Sequence, residues 1–230
     1  MYFSSFIDAL YPFCFPIFLI ISYLITVLAI AEFLKHSWNI RTEITRKIVH
    51  IASGNVILIA WKSQLPAWIL IIGSVISMIL VLTSYVSSLF PSINDIKRIS
   101  FGTLFYACSI GILSYFFWHQ KEIQYVVIGI LTMTWGDGMA AVIGQKFGKH
   151  TYQILNVNKS WEGSLAMMGV SFVVCSIVLF FVGEPSSKIF TISLITSIVA
   201  TVLEIFSSFG IDNLTVPLGS AYISFYLTNL

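Results

Sequence analysis

Residues 135–164, WGDGMAAVIGQKFGKHTYQILNVNKSWEGS, decide how the rest of the chain is interpreted. The stretch begins inside an apolar segment that contains one carboxylate, Asp137, passes through glycines and three lysines, and returns to apolar sequence after Glu162. A charged side chain in a membrane-length segment costs about 2.5–3.5 kcal/mol on insertion scales. Asp137 is therefore a functional candidate.

The composition is that of an integral membrane protein. Of 230 residues, 57% are hydrophobic and 10% are charged, whereas soluble domains carry about 25% charged residues. The cysteines Cys14, Cys108 and Cys175 lie far apart in apolar runs, without metal-ligand spacing. No run of like charges suggests a nucleic acid partner. We expect an all-α, polytopic membrane helix bundle that forms a single domain over residues 1–230.

Apolar stretches of about 20 residues predict the transmembrane helices. The second stretch is short and the last contains Pro217, so the expected count is seven or eight. The stretches are 12–34, 48–62, 66–90, 101–118, 123–145, 163–182, 189–207 and 213–229.

Basic residues are distributed unequally between the connecting loops. By the positive-inside rule, the loops after spans one, three and five are cytoplasmic and the N-terminus is not. Most polar clusters, including the loop 146–162, then share the cytoplasmic face, which favours an active site there over a transport path. The cytoplasmic loops contain Lys35, Arg41, Arg46, Lys47, Lys97, Arg98, Lys146, Lys149 and Lys159, and the other loops contain Lys62, Lys121 and Lys188.

A helix over the second span would bring four polar residues to one face. Glu43, Arg46, Lys47 and His50 are spaced i, i+3, i+4, i+7. The pattern is typical either of a basic flank that anchors a span or of a polar face that lines a phosphate site.

The entrance of the fourth span is a second candidate phosphate contact. Arg98 precedes Gly102 and Thr103, whose N–H groups and hydroxyl could face an anion at a helix N-terminus. Basic residues before a span are also ordinary topology signals.

In the central stretch, Asp137, Ala141, Gly144 and Gly148 share one helical face. Close packing of small residues in membranes explains the glycines but not the acid. An acid near the cytoplasmic end of a span suits Mg²⁺, which takes one or two carboxylates together with substrate phosphate oxygens.

The end of this stretch can contact phosphate or begin a helix. Lys159 and Ser160 are suitable phosphate contacts, and Glu162 could bind metal or orient Lys159. Ser160 is also a good N-cap, with Glu162 in the first helical turn. Both interpretations can hold together, because a helix N-terminus attracts phosphate.

Further acids follow near the chain end. Glu204 lies inside an apolar segment, so a purely structural role is hard to accept. Asp212 and Asn213 follow Gly210 in a sequence that is typical of an ordinary turn.

The ordered set of these motifs resembles the polyprenol kinase family, which includes phytol kinase, dolichol kinase and CTP-dependent diacylglycerol kinase. The resemblance covers nearly the whole chain, and the compact size is similar to the phytol kinase branch of cyanobacteria and plastids. The central stretch also resembles membrane cytidylyltransferases that make CDP-diacylglycerol. Their closing Gly-His-Gly-Gly and Asp-Arg-x-Asp signature is absent, and Ile211-Asp212-Asn213 stands in its place.

The resemblance implies a kinase that transfers the CTP γ-phosphoryl group to an isoprenoid alcohol, with phytol as the first expected acceptor. Dolichol, another polyprenol or diacylglycerol are alternative acceptors. Cytidylyl transfer to a lipid phosphate is an alternative reaction. A small transporter is an alternative function of a different class. The expected cofactors are Mg²⁺ and CTP. The expected partners are a lipid alcohol and membrane lipid, and a homodimer is compatible with the resemblance. The site would face the cytoplasm at a bacterial inner or thylakoid-type membrane.

The resemblance assigns the candidate residues to three roles. Whether Asp137 holds the metal or receives the alcohol proton is open. The catalytic candidates are Asp137, Lys159 and Glu162; the nucleotide or phosphate contacts are Arg46, Lys47, His50, Arg98, Gly102, Thr103, Gly144, Gly148, Lys149, Ser160 and Asn213; the metal ligands are Asp137, Glu162, Glu204 and Asp212.

Overall fold

The computed structural model consists mainly of helices that follow the apolar stretches of the sequence. It describes residues 2–38, 42–87, 101–154 and 157–230, with side chains for 11–38, 44–83, 101–154 and 157–230. The chain forms two compact units, Met1–Leu65 and Pro66–Leu230. The expectation of a single domain remains a prediction.

The first unit contains three helices: α1 (Tyr2–Ser37), α2 (Thr42–Gly54) and α3 (Val56–Lys62). Helix α1 has no polar face, and side chains such as Phe18 and Ile25 are exposed along it, as expected of a helix in lipid. The Tyr23 hydroxyl donates a hydrogen bond to the Ala52 carbonyl over 2.9 Å and joins α1 to α2. The predicted second span consists of two helices, because the helix is interrupted at Asn55.

The second unit contains the remaining helices and a small hairpin. Two of its helices continue through π-helical turns, at Ser114–Trp118 and Thr132–Asp137. The elements are α4 (Ala67–Ser87), α5 (Gly102–Leu113), α6 (Ile123–Leu131), α7 (Gly138–Phe147), β1 (Thr151–Ile154), β2 (Val157–Ser160), α8 (Trp161–Val182), α9 (Ser186–Ile205) and α10 (Asp212–Thr228).

The outer faces of these helices are apolar and exposed, which identifies the chain as a membrane helix bundle. Large side chains such as Phe180 and Phe190 are more than half exposed on α8 and α9. Exposure of so large an apolar surface would be unfavourable in water, whereas lipid would cover it. Within the described residues, four helical stretches are long and apolar enough to span a membrane, namely Tyr11–Ser37, Ile123–Phe147, Trp161–Val182 and Ser186–Ile205; Ala67–Thr83 and Gly102–Trp118 are shorter apolar helices.

Helix α6 lies at the centre of the second unit. Every residue from Tyr125 to Leu131 is buried. The following π-helical turn and helices α7, α8, α9 and α10 meet in one core cluster, formed by Met133, Ala140, Met167, Ala200 and Val216. The segment that carries Asp137 is therefore the central element of the unit.

Close contact between α6 and α10 depends on Gly129. A Cβ atom at this position would lie 2.5 Å from the Pro217 carbonyl oxygen and 3.2 Å from the Ala221 Cβ. Since backbone cannot move aside like a flexible side chain, we expect Gly129→Ala to lower the free energy of unfolding by about 1–3 kcal/mol, measured by thermal unfolding in detergent.

Gly169→Ala is the matched control, because nothing lies within 4 Å of a Cβ at Gly169 in α8. This change should be neutral or stabilise the helix by up to about 1 kcal/mol. Equal unfolding temperatures for the two variants would contradict the close packing of α6 against α10.

Candidate active site

The segment between α7 and α8, expected to be a loop, forms an antiparallel hairpin. Strands β1 and β2 pair with Tyr152 opposite Lys159 and Ile154 opposite Val157. These four side chains are partly buried, whereas Gln153 on the other face is exposed. The alternation is typical of a two-stranded ribbon with one face against the bundle.

Ser160 ends the hairpin and begins α8. Its hydroxyl accepts a hydrogen bond from the Gly163 N–H over 3.1 Å, which confirms the predicted N-cap. A Cβ on Gly144 would lie 3.0 Å from the Ser160 hydroxyl, and one on Gly163 would lie 2.9 Å from the Ala140 carbonyl oxygen. The small residues thus let α7 pass directly against the start of α8.

Lys159 reaches from the hairpin to the end of α9. Its ammonium group donates to the Glu204 carboxylate over 2.7 Å and also to the Glu204 backbone carbonyl. The Ser207 hydroxyl lies 3.5 Å from the ammonium and donates to the same carbonyl over 2.7 Å. The Lys159 and Glu204 side chains are only 12% and 10% exposed. The lysine therefore neutralises both a buried carboxylate and the negative end of a helix.

Glu162 has a different partner from the one expected. Its carboxylate lies 2.8 Å from the His150 Nδ1 and accepts hydrogen bonds from the His150 backbone N–H over 3.3 and 3.4 Å. The expectation that Glu162 orients Lys159 is therefore corrected, because Glu204 does so. Glu162 instead fastens the start of the hairpin to the first turn of α8, and its catalytic and metal-binding roles remain predictions.

Asp137 is only 8% exposed and ends the second π-helical turn. It lies four residues after Met133, and Glu204 lies four residues after Ala200. Since Met133 and Ala200 belong to one core cluster, the two acids lie about one helical turn from that cluster, toward the hairpin end of the bundle.

The first turns of two other helices lie at the same end. The Phe101 N–H donates to the Phe209 carbonyl over 3.2 Å, so the start of α5, with Gly102 and Thr103, lies against the turn between α9 and α10. Helix α10 begins at Asp212, whose carboxylate accepts the Asn213 backbone N–H over 3.0 Å.

The Asn213 side chain has one unused acceptor. Its Nδ2 group donates to the Gly210 carbonyl over 3.3 Å, and its Oδ1 atom is buried without a hydrogen-bond partner in the described part of the chain. A ligand that reached this buried oxygen would have to donate a hydrogen bond to it, and the contact of Asn213 with a nucleotide remains a prediction.

The predicted metal ligands do not form a three-residue cluster among the residues that the structure describes. Among the residues that the structure describes, no three His, Cys, Asp or Glu side chains come close enough to hold an ion. Mg²⁺ is usually bound by one or two carboxylates together with substrate phosphate oxygens. Asp137 and Glu204 are buried acids of the type this requires, and their role as metal ligands remains a prediction.

The other predicted phosphate contacts belong to α2, to α7 and to the segment before β1. Arg46, Lys47 and His50 are partly buried residues of α2 in the first unit, where the helix gives them the expected common face. Lys149 is exposed before β1. Gly148, like Gly144, packs near Ser160. Phosphate binding by these residues remains a prediction. Arg98 and the side chain of Glu43 lie outside the described residues.

Tyr152 and Ser164 were not among the site residues predicted from the sequence. The Tyr152 hydroxyl lies 2.6 Å from the Ser164 hydroxyl, and its ring centroid lies 5.4 Å from that of Trp161. Burial raises the pKa of the Tyr152 phenol above its ordinary value, and the Ser164 hydrogen bond only partly offsets this. The alternation of polar and larger side chains over residues 151–160 was the signal that could have indicated strands.

The fold and this site define a class: a membrane-embedded helix bundle with buried acids, a lysine and helix N-termini at one end. Comparisons with known proteins narrow this class. The chain is 43% identical over 203 residues to the phytol kinase of Synechocystis sp., covering 88% of this chain and 87% of that protein. It is 27% identical to phytol kinase 1, chloroplastic, of Arabidopsis thaliana, over 81% of this chain and 68% of that protein.

These similarities show that the chain belongs to the phytol kinase family, and it is therefore an enzyme of the phosphotransferase class. No family model and no solved structure matches the chain.

The Lys159–Glu204 pair should show strong coupling. Loss of one member of a buried pair leaves an uncompensated charge, so Lys159→Met and Glu204→Gln should each lower the free energy of unfolding by about 3 kcal/mol. The double variant should recover most of this loss, as measured by thermal unfolding in detergent.

Lys188→Met is the control for this cycle. Lys188 makes an exposed hydrogen bond to the Thr228 carbonyl over 3.2 Å, so its loss should cost no more than about 1 kcal/mol. Additive losses in the Lys159→Met/Glu204→Gln double variant would show that the two residues do not depend on each other.

Proposed function

We propose that this enzyme transfers the γ-phosphoryl group of CTP to the hydroxyl of phytol, giving phytyl phosphate and CDP. The observation that supports phytol as the acceptor is the 43% identity, over 88% of the chain, to a protein named phytol kinase. The choice of CTP rests on the motif resemblance, since an amide oxygen such as that of Asn213 accepts equally from the amino groups of cytosine and adenine.

The charges at the hairpin end of the second unit support phosphoryl transfer. Such chemistry depends on positioning and charge neutralisation, with little covalent work for the protein. Lys159 would exchange its contacts with Glu204 for phosphate oxygens. The N–H groups at the starts of α5 and α10 would add further neutralisation, since helix N-termini attract anions.

Asp137 is the candidate for the metal ligand or for the base that receives the alcohol proton. Mg²⁺, when bound with the triphosphate, would neutralise charge on the transferred phosphoryl group. Asp137 is buried at the end of the central helix, so its carboxylate can hold that ion or accept the proton of the alcohol. Glu204 would be the second carboxylate available at this end of the bundle.

The apolar exterior supports a lipid acceptor. An alcohol with a long apolar tail would stay among the exposed faces of the bundle while its hydroxyl reaches the charged end. The apolar stretches support seven or eight spans. The Lys and Arg distribution between loops supports a non-cytoplasmic N-terminus and a cytoplasmic site. CTP in the cytoplasm would then meet the site directly.

The decisive assay is transfer of label from γ-labelled CTP to phytol by purified protein in detergent. Label should appear in a lipid phosphate, because the γ-phosphoryl group moves to the alcohol. Label found only in pyrophosphate would show cytidylyl transfer instead. Geranylgeraniol, farnesol, undecaprenol and diacylglycerol, each with CTP or ATP, then define the preferred acceptor and donor.

Asp137→Asn should reduce this transfer by a hundredfold or more, because an amide can neither take the proton nor provide a charged metal ligand; each tenfold is about 1.4 kcal/mol of barrier. Glu184→Gln is the matched control, since Glu184 lies in the short connection after α8, at the opposite end of that helix. Near-normal transfer by a folded Asp137→Asn variant would exclude the central role of Asp137.

Chelation of divalent ions should abolish the transfer, and added Mg²⁺ should restore it. The expected cause is loss of the charge neutralisation that phosphoryl transfer requires. Thermal unfolding should change little on chelation if the metal arrives with the nucleotide. Undiminished transfer in excess chelator would show that the reaction does not use the metal.

A further inference from the structure

Tyr152 lies directly across the hairpin from Lys159. The two residues are Cα partners in the antiparallel register, so their side chains share the face that packs on the bundle. The Tyr152 hydroxyl contacts Ser164 in the first turns of α8, and the phenol lies close enough to Glu204 for that carboxylate to raise its pKa. One strand thus carries the lysine, and the other carries a hydroxyl that reaches the same surroundings.

The hairpin needs attachments to hold Lys159 in place. An isolated two-stranded hairpin is only marginally stable in water. Strand β2 is fixed by the Ser160 N-cap and by the Lys159–Glu204 pair. Along β1, between its first residue and its last, the side-chain hydrogen bond from Tyr152 to Ser164 attaches the strand to α8. Without it, the four-residue strand β1 would be attached to α8 only through His150, directly before its first residue, and would otherwise depend on its partner strand.

We propose that Tyr152 is a positioning residue of the phosphoryl-transfer site, which fixes the Lys159 ammonium group through its hydrogen bond to Ser164. This inference rests on the proposed function for the role of Lys159. The 2.6 Å hydroxyl contact with Ser164 is directional, whereas the ring contact with Trp161, with centroids 5.4 Å apart, is not.

The hydroxyl should remain protonated while the enzyme works. Burial and the Glu204 charge both disfavour the phenolate, so the pKa of Tyr152 lies above its ordinary value. A neutral phenol beside Ser164 keeps one O–H donor and one acceptor in contact. Tyr152 therefore acts as a neutral hydrogen-bonding group, through the strand that pairs with the one that carries Lys159.

The test is a double-variant cycle with Tyr152→Phe, Ser164→Ala and the combined variant. Each single change removes one side of the same hydrogen bond and keeps the surrounding packing. Each should lower kcat on the order of tenfold and leave KM for phytol unchanged, because a small displacement of a charged group is costly for transfer. The combined variant should be no worse than either single variant.

Tyr222→Phe is the matched control, because Tyr222 is 63% exposed on α10 and stacks on Tyr226. It should retain the wild-type kcat. Unchanged kcat in Tyr152→Phe, or losses that multiply in the combined variant, would overturn the inference.

Hydrogen exchange of the β2 amides, Val157–Ser160, separates this inference from the proposed function. Both single variants should exchange these amides roughly fivefold faster, the equivalent of one hydrogen bond. If the wild-type protein phosphorylates no lipid alcohol, the proposed function fails, yet faster exchange still supports fixation of Lys159 by Tyr152. Unchanged exchange in both variants refutes that fixation whatever the activity.

Discussion

The ion pair between Lys159 and Glu204 is the interaction on which the charged end of the second unit depends. Either charge alone would be costly at the edge of an apolar bundle, because desolvation disfavours an uncompensated ion. The 2.7 Å contact removes that cost for both, and the additional bond to the Glu204 carbonyl places the ammonium at the negative end of α9. The ion pair thereby joins two residues that are 45 positions apart in the sequence. The pair fixes the hairpin to one helix while Ser160 fixes it to another.

The central helix α6 positions Asp137 relative to the Lys159–Glu204 pair. Helix α6 is buried on all sides, and the chain continues through a π-helical turn that ends at Asp137. A π-helical turn widens the helix locally and is common at functional sites. Gly136 lies in the same turn, where a Cβ atom would come within 2.6 Å of the Met167 sulfur. The turn can therefore lie close against α8, and Asp137 projects from a segment that has little freedom to move.

Hydropathy and local chemistry predicted much of this arrangement. Each predicted span contains a helix, because about 20 apolar residues must satisfy their backbone groups internally. Ser160 was identified as an N-cap because its role is local. The partner of Lys159 was misjudged because Glu162 is near in sequence and Glu204 is distant, and only tertiary packing decides between them. The hairpin was missed because it is short and lies between two strongly apolar helices.

The pairing of Lys159 with Glu204 has a consequence for the substrate. Both charges are already neutralised by each other, so an anion that approaches Lys159 alone would leave the Glu204 carboxylate buried and uncompensated. Under the proposed function, a triphosphate that carries a divalent cation would avoid this difficulty, since the Lys159 ammonium would pair with the phosphate and the Glu204 carboxylate with the cation. Lys159 and Glu204 would then each keep a partner of opposite charge. Under the proposed function, the metal and the nucleotide would therefore bind best together, and Asp137 would be the second carboxylate on that cation.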